Sequence, residues 1–180
     1  MKKHLPALAL LILFVLPVCA IAQGSKEALN DKNGFKTLIL GSNIATIKNK
    51  LKPLYETGKL DADSCYLADY NDASLYSVGD IKLTGVVLRI YKEKILGIII
   101  TFDKSAGGEL NLTYIKAFGM YSERPNRFMD KYYWYSQNVK LMLNYDQTTK
   151  LPVAIYTCVP LAEEIERNQL AKRNKAVSDL

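Results

Sequence analysis

The sequence predicts an α+β domain: a twisted antiparallel β-sheet with helices packed on one face, two helix–strand–hairpin repeats, and a C-terminal helix. Three observations predict it. Residues 86–102, VVLRIYKEKILGIIITF, place two alternating, β-branched runs around a short charged turn, the pattern of a hairpin. Residues 139–157, VKLMLNYDQTTKLPVAIYT, repeat that arrangement around DQTTK. Ahead of each lies a stretch with apolar residues at helical spacing. Ile44, Ile47, Leu51 and Leu54 precede the first hairpin; Leu112, Ile115 and Phe118 precede the second.

The chain opens MKKHLPALALLILFVLPVCAIAQG. A basic head, an apolar run from Leu5 to Val18 and small residues at Ala20 and Ala22 make the three-part layout of a signal peptide, residues 1–22, cleaved after Ala22. The run is shorter than the roughly 20 residues of a bilayer crossing. Cys19, in LPVC, offers the alternative of a lipid anchor, against which stands Val18 where a smaller residue is usual. Cleavage after Ala22 places the protein in the periplasm or outside the cell.

Loss of 22 residues leaves 158 of the 180, enough for one domain with its own core over residues 23–160. Basic residues fall from 24 to 22 against 18 acidic ones, interspersed rather than clustered. That is a solvated surface, not a nucleic-acid stripe.

Residues 23–34, QGSKEALNDKNG, read as a polar leader with room for a helical turn. FKTLIL, 35–40, reads as a short strand. GSNIATIKNKLKPLY follows, with Ser42 as N-cap of an amphipathic helix that Pro53 ends after about three turns. SCYLADY, 64–70, is a short strand in a hydroxyl-rich connector. The hairpin at 86–102 is nearly apolar on both faces, so the helix covers one face and another layer or a partner must cover the other. Arg89, Lys92, Glu93 and Lys94 exclude a membrane span there.

ELNLTYIKAFG then predicts a second helix with Gly119 as its C-cap. KYYWYS, 131–136, is an aromatic strand whose alternation sends Tyr133 and Tyr135 to one face and Tyr132 and Trp134 to the other, one pair belonging to the core. Pro152 marks an edge or the start of its strand. The repeats so defined span 35–102 and 109–157. Residues 161–180 carry Glu163 and Glu164 early and Lys172, Arg173 and Lys175 late, which complements a helix dipole.

The units resemble the helix–strand–strand–strand repeat of the β-lactamase-inhibitor-protein-like family, and are similar to small lipoproteins of the outer-membrane β-barrel assembly machinery. LGSNIATIKNKL and LTYIKAFG…YYWYS carry the resemblance, over about residues 35–157. It implies helices on one face of an antiparallel sheet and a non-catalytic role in binding or assembly.

Several chemistries are closed. The only histidine, His4, lies in the predicted signal peptide, so no Ser–His–Asp or Cys–His set is available to the domain. Imidazole zinc ligands are missing, and no GxGxxG or phosphate-loop pattern occurs. No cofactor is expected.

Asp61, Asp63, Asp69 and Asp72 form an acidic segment of the kind that can hold calcium or serve a carboxylate-dependent hydrolase or sugar binder. DADSCYLADYND lacks the glycine and terminal glutamate of an EF-hand loop, and a solvated connector is the simpler reading. Cys65 and Cys158 are a candidate disulfide, against the simpler reading of two small buried strand residues. YSERPNRFMDKYYWYS gathers Arg124, Arg127, Tyr132, Tyr133, Trp134 and Tyr135, the composition of a protein interface. The expected protein is therefore an exported, non-catalytic binding or assembly module whose partner is an envelope or secreted protein.

Overall fold

Seventeen short elements follow one another in a computed structural model that describes residues 25–54 and 65–178. The predicted signal peptide with Cys19, and the calcium candidates Asp61 and Asp63, lie outside the described residues. Helix α1 (Lys26–Lys32) begins at Ser25, whose hydroxyl accepts from Ala28 N at 3.2 Å. A two-residue hairpin, β1 (Gly34–Phe35) and β2 (Leu38–Ile39), replaces the single strand predicted over 35–40.

The helix predicted from Ser42 does not form. Two 3₁₀ turns, Ile44–Thr46 and Lys48–Lys50, lead into strand β3 (Leu51–Pro53). Ile44, Thr46, Ile47, Asn43 and Asn49 are all mediocre helix formers, so the apolar spacing lacked propensity to support it. Pairing with the next strand decides the outcome, and Pro53 is tolerated because β3 is an edge.

The remaining strands are β4 (Tyr66–Tyr70), β5 (Ser77–Val78), β6 (Ile81–Tyr91), β7 (Lys94–Phe102), β8 (Lys131–Tyr135), β9 (Val139–Asn144) and β10 (Val153–Cys158). Helix α2 (Gly107–Phe118) lies between β7 and β8, and α3 (Val159–Ser178) is the last described element. Both predicted hairpins form, as β6–β7 and β9–β10. Gly119 caps α2 with φ +76°, and its N–H donates to Ile115 O at 2.8 Å. Pro152 stands immediately before β10.

The eight-stranded antiparallel sheet runs β3-β4-β6-β7-β10-β9-β8, with β5 paired to β6. Matching β4, β6 and β7 with β8, β9 and β10 makes this order palindromic. Two three-stranded meanders meet along β7–β10. Of the two meanders, only the second has an α-helix directly before it.

One face of the sheet is the core. A row straight across six strands, Ala68–Leu88–Ile98–Tyr156–Leu141–Trp134, is at most 2 % exposed. Leu110, Tyr114 and Phe118 of α2, Leu29 of α1, and Phe35, Leu38, Leu40 and Ile44 belong to the same core. The Trp134 indole N–H donates to Gly119 O at 2.9 Å, which ties β8 to the end of α2.

No helix among the described residues is long and apolar enough to cross a membrane. In α3, Leu161 is buried and Asn168 Nδ2 donates to Tyr91 Oη at 3.2 Å, while residues 169–177 are all exposed.

Candidate functional site

A strand shows successive side chains to opposite faces, so moving one residue along each strand from the buried row reaches the other side of the sheet. There the row is Asp69–Val87–Ile99–Ile155–Met142–Tyr133. All six are half-buried, where their counterparts are buried. At about 4.8 Å per strand the row is roughly 24 Å long. Its four central side chains, Val87, Ile99, Ile155 and Met142, are apolar and contiguous.

A parallel row, Leu67–Arg89–Gly97–Thr157–Lys140–Tyr135, borders it. Gly97 is where Arg89 crosses the sheet: a Cβ there would lie 3.6 Å from Arg89 Cδ and 3.0 Å from Tyr156 O. Thr101, Val153, Asn144 and Lys131 border the other side in register. The apolar part of this face is the central strip of four half-buried side chains, with polar and charged residues on either side.

The β8 edge is aromatic and basic. Tyr133 and Tyr135 stack with centroids 5.9 Å apart and planes at 16°. Lys140 Nζ lies 5.0 Å from the first ring and 5.3 Å from the second, and Lys131 Nζ lies 5.5 Å from Tyr133. Each contact adds about 0.5–1 kcal/mol at an exposed site. Tyr135 Oη donates to Glu123 Oε2 at 2.6 Å. Burial, and the Glu123 carboxylate that holds its proton, push the Tyr135 hydroxyl up to about 12.

The interface residues predicted from sequence are thus divided. Tyr133 and Tyr135 reach this face, while Tyr132 and Trp134, 6 % and 1 % exposed, belong to the core. Arg124 pins its own loop: its guanidinium sits 5.0 Å over the Tyr132 ring, and Nε donates to Met129 O at 3.1 Å. Arg127 sits 4.7 Å over Phe128, which is 79 % exposed.

Cys65 and Cys158 are both free thiols. Cys65 precedes β4 on the half-buried side and is exposed; Cys158 ends β10 on the core side and is buried. Their strands are three spacings apart, roughly 14 Å, against the 4.4–6.8 Å Cα separation of a disulfide. The candidate bridge does not form, and of the two only Cys158 is a small buried residue.

Asp72 is occupied structurally. Its carboxylate accepts from Lys50 Nζ at 2.7 Å, Ser74 N at 3.0 Å and Ser74 Oγ at 2.6 Å. Lys50 first, then the Ser74 donors, hold it down at about 2. Asp69 stands at the β4 end of the half-buried row. Among the described residues no three His, Cys, Asp or Glu side chains gather as metal ligands.

No family model, curated protein or solved structure matches this chain. The arrangement is an apolar strip flanked by Arg89, Lys140 and Lys131. Sequence reasoning missed Val87, Ile99, Met142, Ile155 and Lys140 as surface residues. The signal for Val87 and Ile99 was present in the two-sided apolarity of residues 86–102, which demands a cover on both faces.

Proposed function

We propose that this protein is an exported, non-catalytic binding or assembly module of the bacterial cell envelope, and that its partner protein docks on the half-buried face of the sheet. One observation carries the reading: the apolar row Val87–Ile99–Ile155–Met142 is continuous across four strands, while the described helices α1 and α2 belong to the opposite core. Leaving such a strip in water wastes burial of about 25 cal/mol per Å². The lysine–tyrosine edge supplies the rim that interfaces place around an apolar centre. The signal-peptide pattern supports export, and the resemblance to the β-lactamase-inhibitor-protein-like repeat supports a binding role.

Site-specific photocrosslinking in intact cells tests it. A crosslinking side chain at Met142 or Ile155 captures one discrete partner, and one at the exposed Leu112 of α2 does not. Equal capture from both faces, or none from the sheet, refutes the reading. Ile155→Glu removes the capture at Met142 if the strip is the contact.

A further inference from the structure

We propose a second site, separate from the sheet face, that takes a single-chain anionic amphiphile: an apolar tail on Phe35, Phe118 and Tyr156, and a carboxylate held by Lys32 and Lys36. The cavity lies between α2, the end of α1, the β1–β2 hairpin and the 78–79 turn. Its volume is about 230 Å³, and Val78 and Ala117 also line it. At interior packing density that holds on the order of ten heavy atoms, a small molecule rather than a peptide.

The charge at its rim has one sign. Lys32 Nζ donates to Lys36 O at 3.1 Å, and Lys36 Nζ to Ser74 O at 2.7 Å and Ser77 Oγ at 3.4 Å. All these acceptors are neutral, and neither lysine pairs with a carboxylate among the described residues. Each ammonium has three donors, so both keep a proton for a ligand oxygen. Lys36 sits at φ +51° in the β1–β2 turn, a conformation that side-chain-bearing residues seldom adopt, and its Nζ is tied to Ser74 O.

The floor of the cavity is aromatic: Phe35, Tyr114, Phe118 and Tyr156. Tyr114 lines the cavity with its hydroxyl buried beside that of Tyr156. Its ring meets Tyr156 edge-on, with centroids 6.2 Å apart. An ammonium-headed amphiphile would meet two like charges; an anionic one meets two opposite charges above an apolar floor.

Calorimetric titration of the purified chain tests this, with octanoate, octyl phosphate and octyltrimethylammonium as probes. Octanoate is expected to bind one site with a Kd below about 1 mM, and the cation not to bind. Tighter binding of octyl phosphate assigns the head to phosphate and overturns the carboxylate. The double variant Lys32→Met, Lys36→Met weakens octanoate about tenfold or more. Ala117→Trp, at an exposed position of α2, fills the cavity and abolishes binding at an unchanged melting temperature. No octanoate binding at millimolar concentration, equal binding of the cation, or full affinity in both variants overturns the proposal.

Discussion

The indole N–H of Trp134 reaches the carbonyl of Gly119 at 2.9 Å, so a core side chain of the β8 edge strand closes the C-terminus of α2. Trp134→Phe keeps most of the ring volume but strands that carbonyl. The expected cost is about 2–4 kcal/mol, from the lost partner and the residual void. Urea denaturation followed by circular dichroism measures it, because Trp134 is the only tryptophan and its fluorescence disappears with the substitution.

Gly107 opens α2 against the ring of Tyr145, and a Cβ there would collide with Tyr145 Cβ, Cγ and Cδ2. Alanine would gain up to about 1 kcal/mol of helix propensity. Overpacking costs about 1–3 kcal/mol, so Gly107→Ala is expected to destabilise. Tyr145→Ala in the same chain should recover part of the loss, which a double-mutant cycle reads directly.

Asp72 makes an acid-dependent contribution. Its folded-state value, about 2, lies below the unfolded carboxylate value of about 3.9. The contribution is therefore present above about pH 4 and lost as pH falls through about 2. Stability of Asp72→Asn should differ from the parent at neutral pH, and the gap should close across that window in denaturant titrations at stepped pH.

Thiol labelling distinguishes Cys65 from Cys158. Cys65 should react in the folded protein and Cys158 only after unfolding. Burial raises the Cys65 thiol above its ordinary value, with Arg89 pulling it back. Labelling should therefore speed up well into the alkaline range. Equal protection of both thiols would contradict the opposite-face placement.

Much of the sheet was legible because period-2 alternation around charged turns is a local signal, as in residues 86–102 and 139–157. Helix α2 was legible in position up to Gly119 but not in its packed face: of Leu112, Ile115 and Phe118 only Phe118 is buried, with Leu110 and Tyr114. The 3₁₀ turns at 44–50 were not, since Ile44, Ile47 and Leu51 mimic a helical stripe while pairing of Leu51–Pro53 with β4 overrides it. Alternation divided Tyr132 and Trp134 from Tyr133 and Tyr135. It did not say which pair was inside, because that depends on where α2 packs. The half-buried row was hidden for a related reason: Ile99 meets Ile155 only through the β7–β10 register, which no local pattern encodes.

That meeting has a kinetic consequence. Arg89 and Gly97 pair across a tight turn, whereas Ile99 and Ile155 are 56 positions apart. Closing the longer loop costs about 1.7 kcal/mol more chain entropy than closing the short one. Each meander therefore assembles by itself, and the junction between them zips last. Until it does, β7 and β10 are open edges of matching hydrogen-bonding pattern. A second chain displays the same two edges, so crowding of newly folding copies opens a competing route in which halves are exchanged between them.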